Sequence, residues 1–302
     1  MLYIEKNCLF CDEKENIKEL YPRTFRNEEL GPFIFSARNE IKHFHYRIVR
    51  CRNCSLVFSK EILNDDTLLH LYSHSTVTFD EYTDIIRKDY IRPLAPFLSG
   101  LPKRSALEIG CSSGFFLDEL IERGFQNVHG CEPSVEAKAK ASPQVRKNIF
   151  PGFYSDGLYE KNSFDLICSF QTLDHLSSPL EMVRACHNNL TPGGLVYFIM
   201  HDVDSLQARI LGERSPIIDV VHIYLFNKKT LRKLFETAGF KVLKISDIKN
   251  SYPLSYWLKM FPMRKKWKTW IMGLLNRWGW ASVLVPVKAG NICVVAKCIK
   301  KE

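Results

Sequence analysis

No stretch of the 302 residues reaches about 18 consecutive apolar side chains, so no segment is expected to cross a bilayer as a helix. The opening Met1-Leu2-Tyr3-Ile4-Glu5-Lys6-Asn7-Cys8 lacks the apolar run of a secretory leader. Internal repeats and low-complexity tracts are missing as well. With 46% apolar and 25% charged residues the composition is globular, which excludes disordered and fibrous architectures. Ten cysteines without a leader point to a reducing compartment, where thiols serve metals more often than disulfides. A cytoplasmic location is expected. Acids are outnumbered, 33 against 42 Lys and Arg, and the resulting +9 makes anionic partners worth testing.

Four of the cysteines stand as Cys8-Leu9-Phe10-Cys11 and Cys51-Arg52-Asn53-Cys54. Each C-x-x-C folds as a knuckle that aims two thiolates at one point, and two knuckles complete a tetrahedral zinc site with no open position. The alternatives are a chance pairing of the two motifs and a redox dithiol. Residues 46–50 alternate into the second knuckle and Leu56-Val57-Phe58 leaves it, as strand, turn, strand. The 39-residue spacer leaves room for a hairpin or loop of its own. Residues 1–60 are therefore expected to form a zinc-binding ribbon and 61–100 a helical connector.

From Ser105 onward apolar strands alternate with amphipathic helices, the pattern of a parallel sheet covered on both faces. Strands are expected at 105–110, 127–132, 145–150, 164–169, 194–200, 240–247 and 291–298. Helices are expected at 115–123, 134–141, 179–190 and 229–238. The first strand runs into Gly110-Cys111-Ser112-Ser113-Gly114, a small-residue turn that lets a ligand approach backbone amides at a helix start. A dinucleotide-binding G-x-G-x-x-G would need glycine at 112 and 115, where Ser112 and Phe115 stand. The dehydrogenase reading fails.

The ordered set of motifs resembles the class I S-adenosylmethionine-dependent methyltransferases. Glu108-x-Gly110-x-Ser112-x-Gly114 is similar to their first motif, with serine in place of one glycine. Ser163 to Leu176 resembles the fourth strand and its loop, and Leu190-Thr191-Pro192-Gly193-Gly194-Leu195 the turn before the fifth strand. The resemblance implies an α/β Rossmann-like methyltransferase sheet over 101–302. It also implies a cofactor set of Glu108, Gly110, Ser112, Gly114, Glu132, Phe170 and Gln171. Glu132, 22 residues past Gly110 at a strand end, suits a vicinal ribose diol because a carboxylate accepts two hydroxyl hydrogen bonds. The adenine contact stays open among Phe153, Tyr154 and Asp156.

With four cysteines ahead of such a domain, the chain looks like bacterial methyltransferases of sugars or glycan precursors that carry an N-terminal zinc domain. Their C-methylating members have an acid-histidine segment, here partly matched by Asp219-Val220-Val221-His222. Oxygen or carbon acceptors need deprotonation, for which an imidazole is suited. His175, His201 and His222 lie at strand ends or in the loops after them. His222 is the favoured base and His175 the second choice.

Between Tyr256 and Gly290 there are seven Lys or Arg, no Asp or Glu, and all five tryptophans. This segment, inside an insertion at 251–290, is expected either to pack its tryptophans on the core, to touch an anionic membrane peripherally, or to bind nucleic acid. The primary expectation is a small-molecule methyltransferase acting on a sugar or glycan precursor, with nucleic acid set aside as a partner. The alternatives are an RNA methyltransferase that holds nucleic acid with the ribbon and insertion, and a non-catalytic zinc-ribbon module.

Overall fold

Alternate residues along the central strands enter two cores, one on either face of the main sheet. The computed structural model describes residues 3–12, 14–35, 43–74, 82–261 and 263–300. The N-terminal strands are β1 (Tyr3–Glu5), β2 (Ile17–Tyr21), β3 (Ile48–Cys51), β4 (Val57–Ser59) and β5 (Glu61–Leu63). β5 pairs antiparallel with β1, so residues 61–63, expected to begin a helical connector, are strand. Helices α1 (Asp65–Ser73) and α2 (Thr83–Leu94) follow, and residues 75–81 of the connector lie outside the described residues.

The main body begins with β6 (Ser105–Ile109), α3 (Phe115–Glu122), β7 (Asn127–Cys131), α4 (Val135–Ala139), α5 (Pro143–Arg146) and β8 (Ile149–Phe150). It continues with β9 (Phe164–Phe170), α6 (Pro179–Asn189), β10 (Leu190–His201) and α7 (Leu206–Leu211). After β11 (Tyr224–Leu225) come α8 (Lys228–Thr237) and β12 (Phe240–Asp247). The expected insertion is the hairpin β13 (Asn250–Pro253) and β14 (Leu284–Val287), which carries α9 (Leu254–Met260) and α10 (Lys265–Arg277) between its strands. β15 (Asn291–Cys298) closes the sheet.

Seven strands pair in the order β12-β15-β10-β9-β6-β7-β8. All are parallel except β15, which runs antiparallel to both of its neighbours. This is the open, mostly parallel Rossmann-like sheet that the resemblance implies. Along β10, Val196, Phe198 and Met200 enter one core while Leu195, Tyr197 and Ile199 enter the other. That two-residue period is what a strand covered on both faces requires. The turn expected before the fifth strand is instead a bulge inside it, because Leu190 already pairs with Phe164 before the register shifts at Leu195.

The N-terminal strands do not stand apart. β11 adds antiparallel to β4 and extends the sheet β11-β4-β3-β2. Cys8, Cys51, Leu56 and Phe58 share one core with Phe198, Leu231 and Phe235. A shared core and a shared sheet couple the two parts, so thermal unfolding followed by near-ultraviolet circular dichroism and by tryptophan fluorescence should give one coincident transition. Two well-separated transitions would contradict this coupling.

Candidate active site

The loops after β6, β7, β9 and β10 leave the parallel sheet at one rim, the carboxyl ends of its strands, where open α/β sheets place their ligands. After β6, Gly110 holds φ +72° and Gly114 φ +70°. A Cβ at Gly110 would collide with the Thr172 side chain, so the loops after β6 and β9 meet too closely for any residue but glycine. The amides of Gly110 and Cys111 both donate to Cys131 O, at 2.8 and 3.1 Å, which ties this loop to the end of β7. Ser112, in place of the family's glycine, keeps the left-handed backbone at φ +49°. Its N–H donates to Glu132 Oε2 at 2.9 Å. The serine thus accepts the strained conformation while a carboxylate clamps its amide.

Glu132 follows β7 directly and is buried; its Oε1 accepts the Ser134 N–H at 2.8 Å. Burial pushes its pKa up, against the pull of the Ser134 and Ser112 amides. Glu108 is buried on β6, and burial, with the charges of Glu132 and Asp118, drives its pKa well above the usual carboxylate range. Phe170 spends its ring among Tyr90, Phe116 and Tyr197 in the core. Gln171 follows it in the left-handed region at φ +51°.

Among the described residues, five buried side-chain polar atoms have no hydrogen-bond partner. Three of the five, Glu108 Oε2, Gln171 Oε1 and Asp174 Oδ1, lie on β6 or in the loop after β9. Buried polar atoms are nearly always satisfied, so this concentration marks a place shaped for a ligand's polar groups. The unpaired carboxyl, the glycine cradle and the strand-end carboxylate fit a cationic nucleoside such as S-adenosylmethionine.

Beside this cradle the structure brings three histidines onto one acid. Asp174 is 1% exposed, in the short 3-10 turn Leu173–His175 after β9. His201, ending β10, places Nδ1 2.8 Å from Asp174 Oδ2. His222 Nε2 lies 3.9 Å from Oδ2, and His175 Nε2 lies 3.8 Å from Oδ1. Asp219, three residues ahead of His222, does not touch the ring; its carbonyl accepts the His222 N–H and its carboxylate caps Val221 N. The N-terminal part backs this turn, since Ser59 N–H donates to Ile223 O at 2.8 Å. Tyr72 of α1 stacks on His175, with its hydroxyl 3.2 Å from Nδ1.

Burial lowers the pKa of His175 to about 4, against the attraction of Asp174, and lowers that of His222 with help from His201. Burial alone would raise Asp174, but the hydrogen bond from His201 and the nearby imidazoles hold it below the usual range. The sequence placed His175 and His222 at this rim. It did not single out Asp174 as their common partner, although the adjacency of Asp174 and His175 straight after a strand was a usable signal.

The four N-terminal thiols also converge. The sulfurs of Cys8, Cys11, Cys51 and Cys54 lie within 4.8 Å of one another, with Cys8 and Cys54 at 3.3 Å. In each knuckle the amide after the second cysteine returns to the first cysteine's carbonyl, Asp12 to Cys8 and Ser55 to Cys51, both at 2.9 Å. Asp12 and Ser55 adopt positive φ to do so. Such a set can hold a tetrahedral divalent cation. None of the ten cysteines is in a disulfide.

A family model described as a methyltransferase domain matches residues 82–245. A tRNA U34 carboxymethyltransferase of Idiomarina loihiensis is 28% identical over 165 residues, which is 51% of this chain and 50% of that protein. The protein of the same name from Proteus mirabilis is 30% identical, over 50% of this chain and 49% of its own length. The chain thus spans about half the length of these curated relatives. Among solved structures, the complex of the Haloferax volcanii Trm112 methyltransferase activator with a methyltransferase contains a chain that superposes with a TM-score of 0.51. It is 17% identical and covers 73% of this chain and 94% of that one, a likeness of fold.

These relatives correct two expectations. The sugar or glycan acceptor is overturned, because the curated relatives are named for tRNA. The partner expectation, a small molecule or glycan with a peripheral membrane contact and no nucleic acid, falls on the same names. Packing of all five tryptophans on the core is not what the structure shows either. Trp257 packs on Tyr252 and donates to Val285 O, but Trp267, Trp270, Trp278 and Trp280 are exposed. No helix among the described residues is long and apolar enough to cross a membrane.

The cradle makes a direct prediction. Gly110→Ala forces a Cβ against Thr172 in a left-handed backbone, so S-adenosylmethionine affinity measured by calorimetry should fall at least about 10-fold. Unchanged affinity would show that the cofactor does not use this loop.

Proposed function

Because this chain belongs to the class I S-adenosylmethionine-dependent methyltransferases, we propose that it transfers a methyl group to RNA, with tRNA as the acceptor class. The observation that carries the acceptor is the match, over half of the chain, to enzymes named for tRNA U34. Two features of the chain support it. The insertion supplies seven cations and no acid, suited to phosphates, and four exposed tryptophans on which bases can stack. It also springs from the functional rim, since Asn291, straight after it, pairs with His201.

In this reading, residues 1–60 are a zinc-binding unit held by Cys8, Cys11, Cys51 and Cys54, residues 61–100 connect, and 101–302 form the methyltransferase domain with its insertion at 251–290. Glu108, Gly110, Ser112, Gly114, Glu132 and Gln171 hold the cofactor. The backbone of 110–114 lines the methionine part and Glu132 accepts the ribose hydroxyls. Phe170 contributes by fixing the β9 end from the core. When bound, the cofactor supplies an electrophilic methyl on a sulfonium. The protein's task is to orient the acceptor and help it lose a proton. His222 and His175, neutral and gathered on Asp174, are the groups placed to activate the acceptor atom.

Three measurements test this. Labelled S-adenosylmethionine should pass its methyl to total tRNA, and nuclease digestion should release the label as modified nucleosides; label found in no RNA would reject the acceptor. Replacing Lys265, Lys266 and Lys268 together by Glu should weaken tRNA binding by at least about 10-fold and flatten its salt dependence by about two units of slope. Equal binding would free the insertion from this role. The purified protein should carry zinc, and Cys51→Ser should lose it and lower the single unfolding transition; full retention of zinc in the variant would place it elsewhere.

A further inference from the structure

We infer that Asp174, His175 and His222 form a divalent transition-metal site at the acceptor side of the rim, the means by which this cluster activates its substrate. The inference rests on the reading of the cluster as the acceptor-activating one. One ligand atom from each of the three residues lies within 4.8 Å of the others. Asp174 Oδ1 is buried and accepts no hydrogen bond, which is a second and independent sign that a ligand belongs there.

Hydrogen-bond chemistry decides what kind of ligand. His222 Nδ1 lies 2.8 Å from Ile217 O. A carbonyl only accepts, so Nδ1 carries the proton and Nε2 presents its lone pair toward Asp174. At His175 the Tyr72 hydroxyl, 3.2 Å from Nδ1, can accept in the same way and leave Nε2 bare. Both bare nitrogens then face a carboxylate at 3.8 and 3.9 Å, lone pair toward lone pair. A cation between them turns that repulsion into coordination.

The spacing suits the change. Metal–ligand bonds of about 2.0–2.2 Å in tetrahedral geometry put ligand atoms about 3.4 Å apart, so closure needs small side-chain shifts. His201 donates Nδ1–H to Asp174 Oδ2 at 2.8 Å and orients the carboxylate. The Ile217 carbonyl and the Tyr72 hydroxyl do the same for the two imidazoles, the outer hydrogen bonds that metal-ligating histidines ordinarily make.

Two neutral imidazoles and one carboxylate select Zn²⁺, Fe²⁺, Co²⁺ or Mn²⁺ over the all-oxygen preferences of Ca²⁺ and Mg²⁺. Three protein ligands leave a position open, unlike the closed four-thiol set at the N-terminus. An acceptor hydroxyl held in that position would lose its O–H proton to water more readily and keep the freed electron pair for attack on the methyl.

The full chain, stripped of metal by a chelator, is titrated with Co²⁺ and followed by absorption and calorimetry. Two classes of site are expected: one with thiolate charge-transfer bands and one with only weak visible bands from nitrogen and oxygen ligands. Asp174→Asn and His222→Asn should each weaken the second class by at least about 100-fold and leave the first intact. His175→Gln provides a third variant, and unchanged S-adenosylhomocysteine affinity certifies its fold. A wild-type protein with no second class, or a second class that survives all three substitutions, overturns the inference. Full methyl transfer to tRNA by metal-stripped protein overturns it too, while leaving the methyltransferase reading in place. Metal bound at the triad without any transfer to RNA sinks the acceptor reading instead.

Discussion

A carboxylate buried to 1% exposure must be paired, and the pairing of Asp174 organises the rim after β9 and β10. Its side chain draws His201 from the end of β10 and faces His175 and His222. Its backbone carbonyl accepts the Ile223 N–H at 2.7 Å, which pins the segment that carries His222. That segment is held from behind by Ser59, and Tyr72 covers His175. The N-terminal part is therefore more than an appendage. Through β4, β11 and α1 it fixes two of the three imidazoles that the buried acid gathers.

The loops after β6 and β7 obey a different constraint. There the chain must remove side chains rather than gather them, since Gly110 meets Thr172 and a side chain at Gly130 would strike Cys111 Sγ and Leu117. Glu132 joins the two strands that form the cradle. Two of its lone pairs bind the amides of Ser112 and Ser134. Ser112 stands where the family has glycine. The backbone keeps its positive φ, and a charge-assisted hydrogen bond offsets part of the strain.

Most of the sheet was legible in the sequence because its signals are local, although the strand expected at 145–150 is helix as far as Arg146 and strand only at Ile149–Phe150. The strand at 240–247 and the last strand at 291–298 lie where expected, since alternation and helix boundaries are written within a few residues. What escaped depends on distant partners. Tyr224 and Leu225 become strand only because Phe58 and Val57 receive them, and two residues carry no periodicity. Glu61–Leu63 reads as connector until Tyr3–Glu5 pairs with it. His222 and His175 were legible as rim residues, whereas Asp174 acquires its meaning from three imidazoles that arrive from two strand ends and a loop. The tryptophans of the insertion sit at helical spacing, a pattern shared by core stripes and exposed platforms alike; only burial separates the two.

The central claim is a division of labour in which the glycine cradle and Glu132 hold the cofactor while the Asp174 cluster activates the acceptor. Asp174→Asn keeps the shape and removes the charge on which the histidines converge, so turnover and cofactor binding measured on that one variant separate the two tasks. The account predicts a fall in kcat of about 100-fold or more with the Kd for S-adenosylmethionine unchanged. A variant that turns over normally, or that loses cofactor affinity in step with its rate, would contradict it.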